Sequence, residues 1–349
     1  MKKTGHSNSA TCIRARSNTL LSPIIFLFIL AIVSPLTVSA GEFTFLTEHP
    51  GRVSAPVTVA NALPSRLSRA DAAVYKRNLE RLRDLLTSQP VFNPPRGVEV
   101  IGYLRPLDEL PVNTRVPVPG FGYLRFHFYH ESSKTGMPVR ICCTTDEIYL
   151  TVNNPDAGLD VYGGSGFPSK AFYEPRQVGE LDGFPVYRMD SGDEVIVLSR
   201  NGTPPWIPVT REEYVKAYLK NWRKEAAEAP PADTITPEIV RRHEAALAGM
   251  SAEERRMQAR HWAYDPFEPT LAPADSDEGR PLVRTNPAWF DPSLPRGAFQ
   301  LIILRFCYTG NLNHENPGLT EHGDISPFRV WEALHTSNWT QISGALTKR

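Results

Sequence analysis

The chain has 349 residues, of which 41% are hydrophobic and 10% aromatic, and it carries 38 basic and 38 acidic residues. This composition excludes an intrinsically disordered chain, and four cysteines are too few for a disulfide scaffold. A formal charge of zero argues against a protein built to attract nucleic acid, so we expect no nucleic-acid partner. Proline is the unusual count, because 32 prolines are nearly twice the usual share of about 5%.

The first 40 residues have the layout of a secretory signal peptide. Basic residues precede an apolar run over 20–33, and Val38-Ser39-Ala40 offers the small side chains that a signal peptidase reads. The sequence therefore predicts cleavage before Gly41 and an exported protein, periplasmic or extracellular, with no membrane-spanning segment afterwards. The alternative is an uncleaved N-terminal membrane anchor. Loss of the four basic residues in 1–40 would leave 34 basic against 38 acidic residues, a mildly acidic chain.

Export would also leave three cysteines, Cys142, Cys143 and Cys307. Adjacent residues on a strand point to opposite faces, so only one of the first two can easily meet Cys307. One disulfide from Cys307 to Cys142 or Cys143 is one prediction, and three buried thiols is the other. Neighbouring cysteines do not have the ligand spacing of a zinc site, and the sequence predicts no metal and no cofactor.

Residues 41–66 show little periodicity and are predicted to form an irregular lead-in to a single domain over 67–347. Ser68 is the predicted cap of the first helix, with Asp71 three residues later. The apolar residues of this helix recur at offsets of four, seven and eleven and so lie on one face: Tyr75, Leu79, Leu82 and Leu86.

From residue 98 to residue 200 the pattern is that of β-strands. The clearest covers 121–130, with Leu124, Phe126 and Phe128 on one face and Tyr123, Arg125, His127 and Tyr129 on the other. Two hairpins are predicted, one joining 139–144 to 148–152 and one joining 184–189 to 195–199. Strands joined by short turns imply an antiparallel sheet.

The next segment, over about 210–262, is predicted to be a partly exposed helical arm. Thr210 and Glu213 form a capping box at the start of its first helix. Thr236-Pro237 is predicted to start a second helix, and Ser251 with Glu254 to cap a third.

Seven prolines between 264 and 297 indicate a long Pro-rich connection. Residues 298–308 are too apolar and β-branched for a linker and predict a central strand that returns to the earlier sheet. Helical segments from Ser326 and Trp339 complete the chain. The predicted fold is α+β, with a mostly antiparallel sheet packed by N-terminal, middle and C-terminal helices.

A polar loop over 314–324 contains the candidate catalytic residues, His314, Glu315, His322 and Asp324. Imidazole and carboxylate groups so close in sequence could bind a divalent ion or supply an acid/base pair. Their spacing matches no known ligand motif, and a polar loop without a site is the competing interpretation.

Aromatic side chains are the other candidate feature, because exposed rings on an exported protein can bind sugars or peptides. Core packing is the simpler account for most of the six tryptophans. Trp206, between prolines, and Trp289, in the Pro-rich connection, are the ones we expect to be exposed.

Two functions compete on this evidence. The lack of a catalytic spacing and the long connection favour a non-catalytic binding or scaffolding module of the cell envelope or extracellular space, with an envelope polymer or a protein as its partner. The alternative is a hydrolase that acts on such a polymer through the 314–324 loop. Convergence of His314, Glu315, His322 or Asp324 in a concave pocket would favour the hydrolase.

Overall fold

A computed structural model describes residues 45–56, 67–107, 115–140, 146–159, 171–230, 232–262, 270–307 and 329–347. The helices in these ranges are α1 Arg69–Thr87, α2 Arg211–Glu228, α3 Ile235–Gly249, α4 Arg329–Thr336 and α5 Trp339–Ser343. The strands are β1 Arg52–Ser54, β2 Val98–Pro106, β3 Gly120–Glu131, β4 Pro138–Arg140, β5 Asp146–Val152, β6 Phe172–Tyr173, β7 Arg176–Leu181, β8 Phe184–Arg188, β9 Glu194–Ser199, β10 Trp206–Pro208, β11 Arg260–His261, β12 Arg280–Thr285 and β13 Leu301–Cys307.

Nine of the described strands form one large sheet in the order β1-β2-β3-β5-β13-β9-β8-β7, with β4 paired to β3. Every pairing is antiparallel except the short one between β1 and β2. The late apolar strand β13 lies between β5 and β9, where Leu304 is opposite both Leu150 and Ile196. The predicted α+β class, mostly antiparallel sheet and central late strand are therefore confirmed.

One face of the large sheet packs against α1, α4 and α5 to form the main core. The four apolar residues predicted on the first helix, Tyr75, Leu79, Leu82 and Leu86, are all buried there. Ser68 caps α1 by accepting a hydrogen bond from the Asp71 amide at 3.0 Å. Periodicity and capping, both short-range signals, thus correctly placed this helix and its buried face.

A second, smaller sheet packs on the opposite face over β9 and β13. Its central strand β12 comes from the Pro-rich segment and pairs with β10, β11 and β6. The sequence did not predict this sheet, because its strands are two to six residues long and lie far apart in the chain. Likewise, the lead-in predicted to be irregular contains β1.

The two predicted hairpins have different outcomes. The one over 184–199 is confirmed, since β8 pairs with β9 across a turn at 189–193. The one over 139–152 is wrong, because β4 pairs with the far end of β3, and Asp146 and Glu147 lie within β5 rather than in a turn. Strand β3 is long enough to pair with β4 and β5 at different places along its length.

In the helical arm, the capping box at Thr210 and Glu213 is confirmed by both of its hydrogen bonds. The third helix predicted after Ser251 is wrong, because only a three-residue 3-10 turn, Glu254–Arg256, forms there. The capping contacts between Ser251 and Glu254 do exist, but β11 begins at Arg260 and leaves no room for further helical turns. Within the described ranges, no helix combines the length and apolar content required of a membrane span.

Candidate ligand-binding face

Several features singled out by the sequence lie outside the described residues. They include the signal peptide, Cys142, Cys143 and the four candidate catalytic residues, His314, Glu315, His322 and Asp324. The disulfide, the cleavage site and the hydrolase alternative therefore stay predictions.

The expected exposure of two tryptophans is wrong. Trp206 and Trp289 are only 8% and 6% exposed, because both pack in the core between the two sheets. The Trp206 indole nitrogen also donates a hydrogen bond to the carbonyl of Pro155 at 2.8 Å. Proline neighbours fixed the backbone at these positions without bringing the side chains to the surface. Trp262, at 60% exposed, is the tryptophan with an open ring.

An aromatic cluster lies on the large sheet, where β2, β3 and β5 form part of the face opposite the helices α1, α4 and α5. The strand register places Tyr103, Tyr123 and Tyr149 side by side in one row across the three strands. Phe121 lies one step along β3 on the same face. All four rings are partly exposed, whereas the opposite face of these strands is buried.

The four rings contact one another in a connected series. Tyr103 packs edge-on against Tyr123, with centroids 4.4 Å apart, and against Phe121 at 6.2 Å. Phe121 in turn stacks on Tyr149 at 6.0 Å. Mutual contact restricts the rotamers of these rings, so the face presents a preformed aromatic surface, which we call the aromatic face.

Two arginines of the same strands lie over this surface. The guanidinium of Arg105 is 5.7 Å from the centroid of Tyr103, and that of Arg125 is 5.0 Å from Tyr123. Arg125 also donates a hydrogen bond to Glu147 at 2.5 Å, which fixes its position against the ring. Both guanidinium groups are close enough to a ring centroid for a cation–π interaction.

A buried carboxylate marks one end of the face. The Glu99 side chain is 5% exposed and binds both Arg52 and Arg140, the latter at 2.7 Å. Burial disfavours the charged carboxylate, but the hydrogen bonds and charges of Arg140 and Arg52 outweigh that effect, and the pKa of Glu99 lies below its ordinary value. Glu99 is therefore ionised at neutral pH and holds the short strand β1 and strand β4 to the sheet.

We expect Glu99→Gln to lower the free energy of unfolding by about 1–2 kcal/mol at neutral pH, because charged hydrogen bonds become neutral ones. The pKa is lowered in the folded state, so this stabilisation is complete above the unfolded value of about 4.3 and is lost as pH falls through the folded value. Urea unfolding of the wild type and the Glu99→Gln variant from neutral to acid pH measures this effect. The difference between their free energies of unfolding should shrink below about pH 4. Glu48→Gln, at an exposed pair with Arg96, should cost under about 0.5 kcal/mol throughout. A pH-independent difference for Glu99→Gln would contradict the assignment.

A third ion pair lies on β13 and the turn before β9, next to the part of the large sheet that the small sheet covers. Arg305 donates to the Asp193 carboxylate at 2.5 and 2.8 Å, and the Cys307 thiol is 3.5 Å from the same carboxylate. Burial and the negative charge of Asp193 raise the pKa of Cys307 well above its ordinary value. The thiol is therefore protonated at neutral pH and is a poor nucleophile.

Among the described residues of the face, arginines outnumber carboxylates. The three ion-pair groups, Arg105 and the exposed Glu131 at the end of β3 give five arginines and four carboxylates: Arg52, Arg105, Arg125, Arg140 and Arg305 against Glu99, Glu131, Glu147 and Asp193. This excess of positive charge contrasts with the balanced charge of the whole chain. The face therefore favours ligands that carry negative groups.

The described part of the chain contains no group of three or more His, Cys, Asp or Glu side chains placed to hold a metal ion. Comparison with protein-family models, with curated proteins and with solved structures finds no match to this chain.

Part of this face could be predicted from the sequence. The alternation over 121–130 correctly placed Tyr123 and Arg125 on the same side of their strand. Nothing in the sequence placed Tyr103 and Tyr149 next to Tyr123, because that contact depends on the register between three separate strands.

Proposed function

We propose that the protein is a non-catalytic binding module that holds an extended sugar polymer of the cell envelope or extracellular space on its aromatic face. The observation that carries the proposal is the connected series of partly exposed rings, Tyr103, Tyr123, Phe121 and Tyr149. Sugar rings have apolar C–H faces that pack on aromatic side chains, and their hydroxyl groups pair with nearby polar groups.

The shape of the face suits a chain rather than a compact ligand. From Glu99 to Arg105 the face extends about 20 Å along β2, taking roughly 3.3 Å per residue. Over this length the face passes from the Glu99 ion pairs at one end to the rings and Arg105 at the other, so an extended chain would contact both a charged part and an aromatic part. The excess of arginine favours polymers that carry carboxylates, because a guanidinium group matches a carboxylate in geometry and charge.

Affinity electrophoresis through gels that contain a soluble polysaccharide tests this proposal. We expect polygalacturonate, which is acidic, to retard the protein more strongly than neutral hydroxyethyl cellulose. Tyr123→Ala should weaken binding about tenfold, which corresponds to about 1.4 kcal/mol, because it removes the ring at the centre of the cluster. Tyr123→Phe should retain most of the affinity, because it preserves the ring.

Trp262→Ala is the matched control, since Trp262 is an exposed ring that is not part of the aromatic face. We expect it to leave retardation unchanged. Equal retardation of wild type and a folded Tyr123→Ala variant would refute the proposal, as would the absence of retardation in both gels.

A further inference from the structure

A cleft of about 650 Å³ lies at one end of the large sheet, where β9 ends and β8 begins. Its volume falls within the range of about 300–1,000 Å³ that is typical of small-molecule sites. Three segments supply most of its walls: the turn over 199–203, the loop over 288–291 and the end of α5 with the residues that follow it. The aromatic face lies on β2, β3 and β5, and β13 separates those strands from β9. The cleft is therefore a second location at which a ligand can bind.

Two successive residues before β13 hold these three walls together. The backbone carbonyl of Gln300 accepts from the Arg200 amide at 2.9 Å, and its side-chain oxygen accepts from the Asp291 amide at 2.7 Å. The carbonyl of Phe299 accepts from the Thr347 amide at 2.8 Å, and the Phe299 amide donates to the Thr347 hydroxyl oxygen at 3.1 Å. Because Phe299 and Gln300 are adjacent and both buried, the three segments have fixed positions around the cleft.

The charges that line the cleft cancel. Arg200 and Asp291 form an ion pair at 3.2 Å, and their side chains are only 10% and 18% exposed. Asp291 is also held by the amide and the hydroxyl of Ser293, at 2.9 and 2.6 Å. Among the described residues, no other charged side chain lines the cleft. A charged ligand would have to displace one partner of this pair and leave a largely buried charge unpaired, so the cleft favours a neutral ligand.

Polar side chains on the turn over 199–203 are available to a ligand. Ser199, Asn201 and Thr203 line the cleft and make no side-chain hydrogen bond to any described residue. The Arg200 guanidinium binds Asp291 through one nitrogen, which leaves further N–H donors. The turn therefore offers several donors and acceptors for hydroxyl groups.

Apolar side chains complete the lining. Phe184 and Leu346 belong to the main core, whereas Trp289 and Phe290 belong to the core between the two sheets. Phe184 and Phe290 are only partly buried, so each has ring surface at the cleft. A ligand for this cleft therefore needs both hydrogen-bonding groups and apolar surface. A sugar ring has both, because its hydroxyl groups surround apolar C–H faces.

We propose that this cleft binds a neutral sugar, with its hydroxyl groups paired to Ser199, Thr203 and Arg200 and its apolar face against the neighbouring phenylalanine rings. The site is independent of the aromatic face and of its proposed polymer. The two sites also differ in preference, because the arginines of the aromatic face favour acidic ligands, whereas the paired charges of the cleft favour uncharged ones.

Saturation-transfer NMR titrations of the full chain with D-glucose, N-acetyl-D-glucosamine and D-glucuronate test the site. The three sugars share a pyranose ring, and at neutral pH only glucuronate is charged. We expect at least one of the two neutral sugars to bind at least tenfold more tightly than glucuronate. Failure of both neutral sugars to bind, or equal or tighter binding of glucuronate, would overturn the proposal.

A double variant, Ser199→Ala with Thr203→Val, separates binding from folding. It removes two hydroxyl groups that make no hydrogen bond to any described residue, so the melting temperature of the unliganded protein should not change. We expect it to weaken binding of the neutral sugar at least fivefold, because two hydrogen bonds to the ligand are lost. Ser133→Ala, at an exposed turn after β3, is the matched control and should change neither quantity. Unchanged sugar affinity in the folded double variant would refute the assignment of these residues.

The two proposals fail separately. Tyr123→Ala should leave binding of the neutral sugar unchanged, and the double variant of Ser199 and Thr203 should leave polysaccharide retardation unchanged. If either protein lost both activities, the cleft would not be an independent site.

Discussion

Replacing Asn153 by alanine is expected to lower the free energy of unfolding by about 4–5 kcal/mol, among the largest effects of any single substitution in the chain. Asn153 is 2% exposed and follows the last residue of β5. Its side-chain amide donates hydrogen bonds to the carbonyls of Val118 and Ala298, each at 2.9 Å. Its side-chain oxygen accepts from the amides of Gln300 and Leu301 at 2.9 and 3.3 Å.

These four hydrogen bonds use both amide N–H donors and the side-chain oxygen of Asn153. They join three separate segments of the chain. Alanine would leave buried backbone groups without partners, and each such group costs about 1–3 kcal/mol. The backbone of Asn153 is also left-handed, with φ of 52°, a conformation that asparagine tolerates better than alanine does. The cost therefore combines lost hydrogen bonds with backbone strain.

Urea unfolding monitored by circular dichroism measures this effect. Asn154→Ala is a close control, because the neighbouring asparagine precedes a 3-10 turn without a side-chain capping bond and should cost under about 0.5 kcal/mol. Asn153→Asp should also be strongly destabilising, since a carboxylate would face the Val118 and Ala298 carbonyls without a donor. Similar stability of Asn153→Ala and Asn154→Ala would contradict the role assigned to Asn153.

Gly120→Ala is expected to cost about 3 kcal/mol or more, because the new methyl group has no space. A Cβ atom at Gly120 would lie 2.0 Å from the Tyr75 hydroxyl and 2.7 Å from Val152 Cγ2. The Tyr75 ring cannot simply move away, since it is fully buried and packs edge-on against Phe299 at 5.3 Å. The absence of a side chain at the start of β3 is what allows α1 to pack closely on the sheet.

A double-mutant cycle with Tyr75→Phe identifies the clash. Within the described part of the structure the buried Tyr75 hydroxyl has no hydrogen-bond partner, and burial raises its pKa well above the ordinary value. Tyr75→Phe alone should therefore be neutral or stabilise the protein by about 1 kcal/mol. In the double variant we expect at least about 1 kcal/mol of the Gly120→Ala cost to be recovered, because the nearest clashing atom is gone.

Thermal or urea unfolding of the four proteins in the cycle provides the measurement. Gly179→Ala is the matched control, since Gly179 is also in a strand but has no atom near the position of a new Cβ, and it should change stability by under about 0.5 kcal/mol. Additive effects of Tyr75→Phe and Gly120→Ala would show that the hydroxyl is not what excludes a methyl group.

The sequence by itself determined the features that depend on neighbours within a few residues. The offsets of Tyr75, Leu79, Leu82 and Leu86 placed one buried helix face, and Thr210 with Glu213 marked a helix start. The hairpin over 184–199 and the apolar strand near 298–308 were also identified. Each of these signals is local, because helical periodicity, capping and tight turns are set by residues close together in the chain.

Only the tertiary structure decided which other elements these helices and strands pack against. Trp206 and Trp289 became buried only because a second sheet covers β9 and β13, and the register across β2, β3 and β5 brought Tyr103, Tyr123 and Tyr149 into one row. Asn153 shows the same dependence, since the backbone groups that it binds are 35 to 148 residues away. Pairing between distant strands depends on the combined packing of many side chains and on loop closure, which no local pattern records. The sequence could therefore supply the rings and arginines of the proposed binding face, but only folding could align them.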